Sequence, residues 1–321
     1  EGCPVRLDKE LLNQHIFICG VTGSGKTTTC QQILLGSTLP FVVIEPAKTE
    51  YRSLSKLDTT IQFYTLGNEK LSPFRFNPFE LLPKEQLSGH IDMLKATFAA
   101  VFPMEAAMPY LIEEAIVRSY EAKGWDIHDN QNYYYADPWQ CQGQCWPIMS
   151  DLLEQLKKVI ASKGFGKELQ EKYEGSLIAR LDNLTVGTKG RMLNTRNSID
   201  IDALLDQKVV FELEDLRDEQ DKALMMGFLV GRIAEAVKQR QRQNNQFRHL
   251  TLLEEAHRLL SKHQAGDNGA KRLGVDLFAN LLAEVRKYGE GLIIADQIPN
   301  KLTPEVMKNT NTIIVHRLFA A

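Results

Sequence analysis

The most specific chemistry in the chain lies in residues 20–27, Gly20-Val21-Thr22-Gly23-Ser24-Gly25-Lys26-Thr27, which fit G-x-x-x-x-G-K-[ST] without a mismatch. Glycines at these positions let the backbone curl so that successive N–H groups converge on a phosphate, where a side chain would block the approach. The Lys26 ammonium is placed to bridge β- and γ-phosphates, and the Thr27 hydroxyl to ligate Mg²⁺. Thr22, Ser24 and Thr28 complete the expected cradle with Gly20, Gly23 and Gly25. ATP and Mg²⁺ are therefore the cofactors expected here. A helix beginning at Lys26 adds the positive end of its dipole.

Hydrolysis requires a metal-facing carboxylate and a group that activates water. His249-Leu250-Thr251-Leu252-Leu253-Glu254-Glu255 supplies both as an apolar strand ending in two acids. In this Walker B reading Glu254 joins the Mg²⁺ shell and Glu255 polarises the attacking water. The blander alternative makes the two acids the first turn of a helix over 256–260, favoured by its dipole. A second apolar strand, 292–296, ends before Gln297, which is placed to contact the γ-phosphate or water. The alternative for Gln297 is a plain strand-end amide. In ATPases with a catalytic glutamate such a strand is expected between the phosphate-loop and Walker B strands. Arg286 and Arg317 stand next to strands and either is a candidate arginine finger toward a neighbour's ATP; the alternative for each is a surface cation. His257 and His263 do not complete an H-E-x-x-H zinc pattern.

These residues need strands that end beside one another. Residues 15–19, 41–44 and 249–254 read as buried strands and 208–213, 292–296 and 312–315 as further strands, with a weaker one at 61–66. A helical stretch at 26–36 between the first two makes a βαβ unit and predicts a parallel sheet with helices on its faces. Helices are also expected at 219–243 and 275–288, with a loop at 266–269. Between 83 and 202 the character changes: helical patterns at 84–101, 110–123, 148–162 and 167–184 surround an irregular loop at 125–146. The aromatics of that loop, Tyr133, Tyr134, Tyr135 and Trp139, either stack bases or pin the loop to its own domain, the favoured reading. The expectation is thus an α/β P-loop core of residues 1–82 and 203–321, with a parallel sheet, interrupted by a mostly helical insertion over 83–202.

Composition agrees with an ordinary globular protein. The 321 residues are 43% apolar and 25% charged, with a net charge of −3. No global basic field points to nucleic acid, although a local basic strip is compatible with that total. No apolar run approaches the roughly 18 residues of a membrane helix. Five cysteines are too few for a disulfide scaffold, so a reducing, cytoplasmic setting is expected. Cys141 and Cys145 read as two incidental thiols rather than a zinc pair.

Several segments together resemble the HerA family, within the HerA/FtsK group of ring-forming motor ATPases. They are residues 15–27, Val43-Ile44-Glu45-Pro46-Ala47-Lys48-Thr49-Glu50-Tyr51, and 181–194 with its core Leu184-Thr185-Val186-Gly187-Thr188-Lys189-Gly190-Arg191. Residues 250–260, 285–297 and 315–318 follow in the same order. The resemblance implies a RecA-like core, a hexameric ring passing double-stranded DNA through its centre, and ATP held between subunits. It matches Arg286 to a trans-acting finger, Glu45 to an acidic position near the nucleotide and Arg317 to a second arginine at the subunit boundary. Glu254 stands where aspartate is commoner, no β-barrel precedes the phosphate loop, and the chain ends soon after Arg317; a motor core is the expectation. Two functions are compatible with it. One is a DNA-translocating or end-processing ATPase with a nuclease partner. The other is an assembly or regulatory ATPase scaffolding an effector nuclease in an antiphage defence complex. A conjugative or secretion motor shares the same core. Lys189, Arg191 and Arg196 are basic candidates for a pore, with solvated surface as their default.

Overall fold

A computed structural model of the protein describes residues 7–105, 107–264, 267 and 269–318. The expected loop at 266–269 falls on positions 266 and 268, which lie outside the described residues. Contacts divide the chain into two compact units, one of residues 1–65, 200–267 and 275–321, the other of 66–199 and 268–274. The breaks thus fall at 65/66 and 199/200, against the 82/83 and 202/203 expected from composition.

The first unit is built on strands that are apolar along their whole length. β1 (Ile16–Cys19) and β2 (Phe41–Glu45) are buried at every position, with α1 (Lys26–Ser37) between them. Such runs belong in a parallel sheet covered on both faces, where no position faces water. β3 (Gln62–Thr65) is more exposed, which is why its pattern is faint in the sequence.

The second unit carries α2 (Leu87–Val101), α3 (Met108–Ala122) and a hairpin of two-residue strands, β4 (Trp125–Asp126) and β5 (Gln131–Asn132). α4 (Met149–Ser162) and α5 (Lys167–Tyr173) follow. The helix expected at 167–184 is interrupted by a π-turn over Glu174–Ile178 before α6 (Ala179–Asn183). The turn contains Gly175, whose lack of a side chain lowers the cost of leaving regular helix. α7 (Gly187–Leu193) completes the unit's main helices. The loop at 125–146 is pinned from within: Trp125 stacks on Trp146 at 4.8 Å, and the indole N–H groups of Trp125 and Trp139 donate to the carbonyls of Cys145 and Leu81. Cys141 and Cys145 form a disulfide, not two incidental thiols. Tyr133 and Tyr134 remain exposed.

The chain returns to the sheet through α8 (Ile201–Leu204) and β6 (Lys208–Glu212), followed by α9 (Glu219–Gln243) and β7 (His249–Glu254). Asp218 caps α9, its carboxylate accepting from the N–H groups of Gln220 and Asp221. α10 (Gly269–Glu284) starts six residues before the expected 275. Gly274 disguises that start; a Cβ there would lie 2.7 Å from the Ala96 carbonyl oxygen, so glycine is required by close packing. A 3₁₀ turn, Val285–Tyr288, leads into β8 (Glu290–Asp296), and α11 (Pro304–Lys308) into β9 (Thr312–Val315). The sheet has seven strands in the order β3-β6-β2-β7-β8-β1-β9, and every neighbouring pair is parallel. β8 lies between β1 and β7, the position expected for it from the sequence. All the carboxyl ends share one edge, the edge at which α/β sheets bind ligands.

Gly289, with φ of 82°, ends the turn before β8, and a Cβ there would run into the Phe247 carbonyl oxygen. Gly289→Ala should therefore lower stability by about 1–3 kcal/mol. Gly36→Ala in α1, where a Cβ meets nothing within 4 Å, should instead raise it by at most about 1 kcal/mol. Urea unfolding of the two variants checks both signs.

Candidate functional site

The phosphate loop is anchored by the strands on both sides of β1. The Gly20 N–H donates to the Asp296 carbonyl at the end of β8, and the Val21 N–H to the Arg317 carbonyl beyond β9. The His316 N–H donates to the Cys19 carbonyl at 2.8 Å. Gly23 and Gly25 take φ values of 74° and 97°, the left-handed region where glycine carries no steric cost. Gly20 is needed for a different reason: a Cβ there would meet His316 and Ser24. α1 starts at Lys26, so its first turn faces the loop.

Lys26, Glu254, Glu255 and Gln297 converge on a cavity of about 270 Å³, which Thr22, Thr27, Thr28, Glu45 and Glu50 also line. The Lys26 ammonium lies 2.9 Å from Glu254 Oε2, both side chains being about nine-tenths buried. Burial alone would lower the Lys26 pKa; the Glu254 carboxylate outweighs it and leaves the ammonium above its ordinary value. The Tyr51 hydroxyl donates to the other Glu254 oxygen at 2.8 Å. Thr22 donates to Gln297 Oε1 at 3.1 Å, tying the loop to the end of β8. Glu255 is not in a helix. It stands in the left-handed region at φ 48°, ψ 47°, and only a short 3₁₀ turn, Ala256–Arg258, follows it. That corner turns the Glu255 side chain away from the line of β7, and burial raises its pKa. Arg258 donates to Glu255 Oε2 at 2.7 Å through Nε.

Strand register lines up four acids along the same edge: Glu212, Glu45, Glu254 and Asp296 end β6, β2, β7 and β8. Three have strong donors. Glu212 takes two 2.7 Å bonds from Arg52, Glu254 has Lys26 and Tyr51, and Asp296 accepts from the His257 backbone and ring. Burial works against the Asp296 carboxylate, but the His257 donors outweigh it and hold its pKa low. Glu45 differs. One oxygen accepts the Glu50 N–H at 2.8 Å, the other has no partner, and burial pushes its pKa up to about 8. At neutral pH Glu45 is thus a neutral acid facing the phosphate cavity.

Thr27 and Glu254 give an all-oxygen donor pair, and no group of three or more His, Cys, Asp or Glu among the described residues could hold a metal alone. That set fits Mg²⁺, which draws most of its ligands from phosphate and water. Glu50 adds a carboxylate held low by Lys48 and then by the Thr27 hydroxyl. The arginines separate. Arg317 is exposed at the carboxyl end of β9, on the phosphate-loop edge, whereas Arg286 is exposed before β8, at the opposite edge. Four residues at the site have no role assigned from the sequence although all lie in the segments that carry the resemblance: Tyr51, Glu50, Arg258 and His316, whose ring nitrogen lies 3.0 Å from Thr29 Oγ1. For Arg258 the spacing of three from Glu255 was a usable signal; for His316 it was adjacency to Arg317.

Glu45 gives the site a pH signature. The unfolded chain releases this proton near 4.5 and the folded chain near 8, so between those values the folded state binds more protons and stability falls as pH rises. Glu45→Gln should remove that slope, stabilising the protein at pH 8 by on the order of a few kcal/mol relative to its effect at pH 5. Urea unfolding at the two pH values measures the difference.

Residues 1–135 match the family described as Helicase HerA, central domain. "Probable helicase MJECL08" of Methanocaldococcus jannaschii is 22% identical over 333 residues; the match covers 97% of this chain, which spans 58% of that relative's length. Among solved structures, VirB4 of Thermoanaerobacter pseudethanolicus superposes with a TM-score of 0.67 at 18% identity, covering 97% of this chain and 79% of that one. The plasmid coupling protein TrwB in complex with ADP and Mg²⁺ superposes with a TM-score of 0.58 at 12% identity, covering 95% and 70%. The two structures share the fold. The central-domain match and the curated helicase both support a likeness of this chain to the HerA family of P-loop ATPases.

Proposed function

We propose that the protein hydrolyses ATP as a ring motor, a hexamer acting on double-stranded DNA in translocation or end processing, with a nuclease or other effector as partner. The alternative is an assembly or regulatory ATPase scaffolding an effector nuclease in an antiphage defence complex, and a cytoplasmic location belongs to either reading. The observation that carries it is the convergence of Lys26, Glu254, Glu255 and Gln297 at the carboxyl ends of β1, β7 and β8, in a chain whose residues 1–135 match the HerA central domain. No helix among the described residues is long and apolar enough to cross a membrane.

Each residue has one task in this reading. The N–H groups of Thr22, Gly23 and Gly25 cradle the β-phosphate, Gly20 and Ser24 shape the loop through their bonds to the Asp296 and Val21 carbonyls, and Thr28 in the first turn of α1 extends the cradle. Lys26 exchanges its Glu254 partner for β- and γ-phosphate oxygens. Thr27 and the released Glu254 would hold Mg²⁺, which when bound draws charge from the phosphate oxygens. Glu255 accepts a proton from the attacking water, and Gln297 orients that water or the γ-phosphate. Glu45, neutral at pH 7, lines the cavity without repelling the polyphosphate. Arg286 reaches a neighbour's nucleotide, and Arg317 works at the boundary between copies.

Lys26→Ala and Glu255→Gln should each reduce ATP turnover by at least about 100-fold, the first with loss of nucleotide binding and the second without it. Arg286→Ala should lose about 10³-fold, and mixing it with Lys26→Ala should restore part of the activity, because each inactive subunit supplies what its neighbour lacks. Duplex DNA should raise turnover, with an effect that weakens steeply as salt rises. An assembled ring that neither binds DNA nor responds to it at any salt concentration would end the motor reading.

A further inference from the structure

Arg258 has no place in the phosphate-binding or metal-binding sets, yet it is among the most constrained cations of the first unit. The corner at Glu255 and the 3₁₀ turn after it bring Arg258 back beneath the acid. Nε and Nη2 lie 2.7 and 2.6 Å from the same oxygen, Glu255 Oε2, while Nη1 pairs with Glu219 at the head of α9. Arg258 and Glu255 are 14% and 15% exposed and Glu219 is 64% exposed, so the inner contact carries the weight and the outer one is screened. Glu255 lines the phosphate cavity and Arg258 does not.

We propose that Arg258 is a positioning residue that fixes the Glu255 carboxylate for water activation, with Glu219 as its outer anchor. The inference rests on the reading of Glu255 as the water-polarising group. Both Arg258 bonds go to Oε2, which leaves Oε1 outside the fork and assigns it to the water. A carboxylate at a half-buried corner has rotamers to choose from, and a guanidinium fork held at its far end removes that choice. Lysine offers a point charge on a flexible stem and cannot span two carboxylates in opposite directions, so arginine is the residue the geometry needs. Displacing a reacting group by about 1 Å costs on the order of 100-fold in rate.

Single-turnover hydrolysis and nucleotide affinity, measured on the assembled full chain, test this. Arg258→Ala should lower the rate about 10- to 100-fold with KM and nucleotide Kd changed by less than about 3-fold. Arg258→Lys should recover part of the loss, and Glu219→Gln should cost no more than about 5-fold in the same direction. The decisive measurement is the pair. In a Glu255→Gln background Arg258→Ala should cause no further loss, since it acts only through Glu255. A full additional loss in that background, a rise in KM with the rate intact, or a silent Arg258→Ala would overturn the proposal. Should Arg258→Ala unfold, Arg258→Lys and Arg258→Gln carry the same comparison. If Glu255→Gln itself hydrolyses normally, the assignment of Glu255 falls and this inference with it. If Glu255→Gln is inactive and Arg258→Ala is silent, this inference alone falls.

Discussion

The ion pair of Lys26 with Glu254 is the constraint around which the first unit is arranged. Both charges are largely withdrawn from water, and the desolvation of each costs several kcal/mol unless geometry repays it. Here the repayment is a 2.9 Å contact plus a phenol donating to the second carboxylate oxygen. Losing one partner would strand the other, a cost of about 3–5 kcal/mol. The pair also dictates architecture. Lys26 starts the helix after β1 and Glu254 ends β7, and β8 runs between those strands. The contact can form only if the three strands end at a common level, and the register pairs Cys19 with Asp296 and Glu254 with Ala295 to that effect.

The same levelling explains the row of acids. A parallel sheet whose strands stop together places their terminal side chains side by side, and four of these are carboxylates. Like charges so placed would repel, so each needs a donor, a counter-charge or a proton. Arg52, Lys26 and His257 supply three of these answers. Glu45 receives the fourth, a proton, because its neighbours have spent the local cations and burial prevents water from helping. Its unpartnered oxygen follows directly from that position. The site thus presents two positive groups, Lys26 and Lys48, and one neutral acid, Glu45, toward the phosphate cavity.

Much of this was legible before any coordinates. The phosphate loop, the strands over 249–254 and 312–315 and the helix over 219–243 fall where hydrophobic runs and punctuation place them. Local patterns suffice there because each element is regular and long enough to show its period. Residues 167–184 read as one helix because a π-turn such as that over Glu174–Ile178 adds a single residue to a turn and leaves no punctuation in the sequence. Glycine at 274 looks like a break in the helix that begins at Gly269, whereas it answers a close backbone contact with Ala96. The site's partners were harder still. Tyr51 meets Glu254 across 203 positions and Thr22 meets Gln297 across 275. Such pairs are created by strand order, which sequence periodicity does not encode.

Strand order also separates the two arginines. β8 runs seven residues from Glu290 to Asp296, about 20 Å at the usual rise per residue, and Arg286 precedes it. Its side chain is shorter than that strand and begins at the wrong edge, so it cannot serve the phosphate cavity of its own chain. A role for Arg286 at a nucleotide therefore requires a second copy presenting its amino edge to the first copy's carboxyl edge, which is a head-to-tail contact. Head-to-tail contacts close into rings or run on as filaments. Arg317 sits at the carboxyl edge, its carbonyl bonded to Val21 of the loop itself. A neighbour's Arg286 approaching that edge would meet a loop whose backbone is already tied to the last strand. Any shift of β9 would then be transmitted to Val21, and any rearrangement of the phosphate loop to Arg317. The loop expected to hold phosphate and the segment after β9 that carries Arg317 are thus joined by one hydrogen bond, with no further element between them.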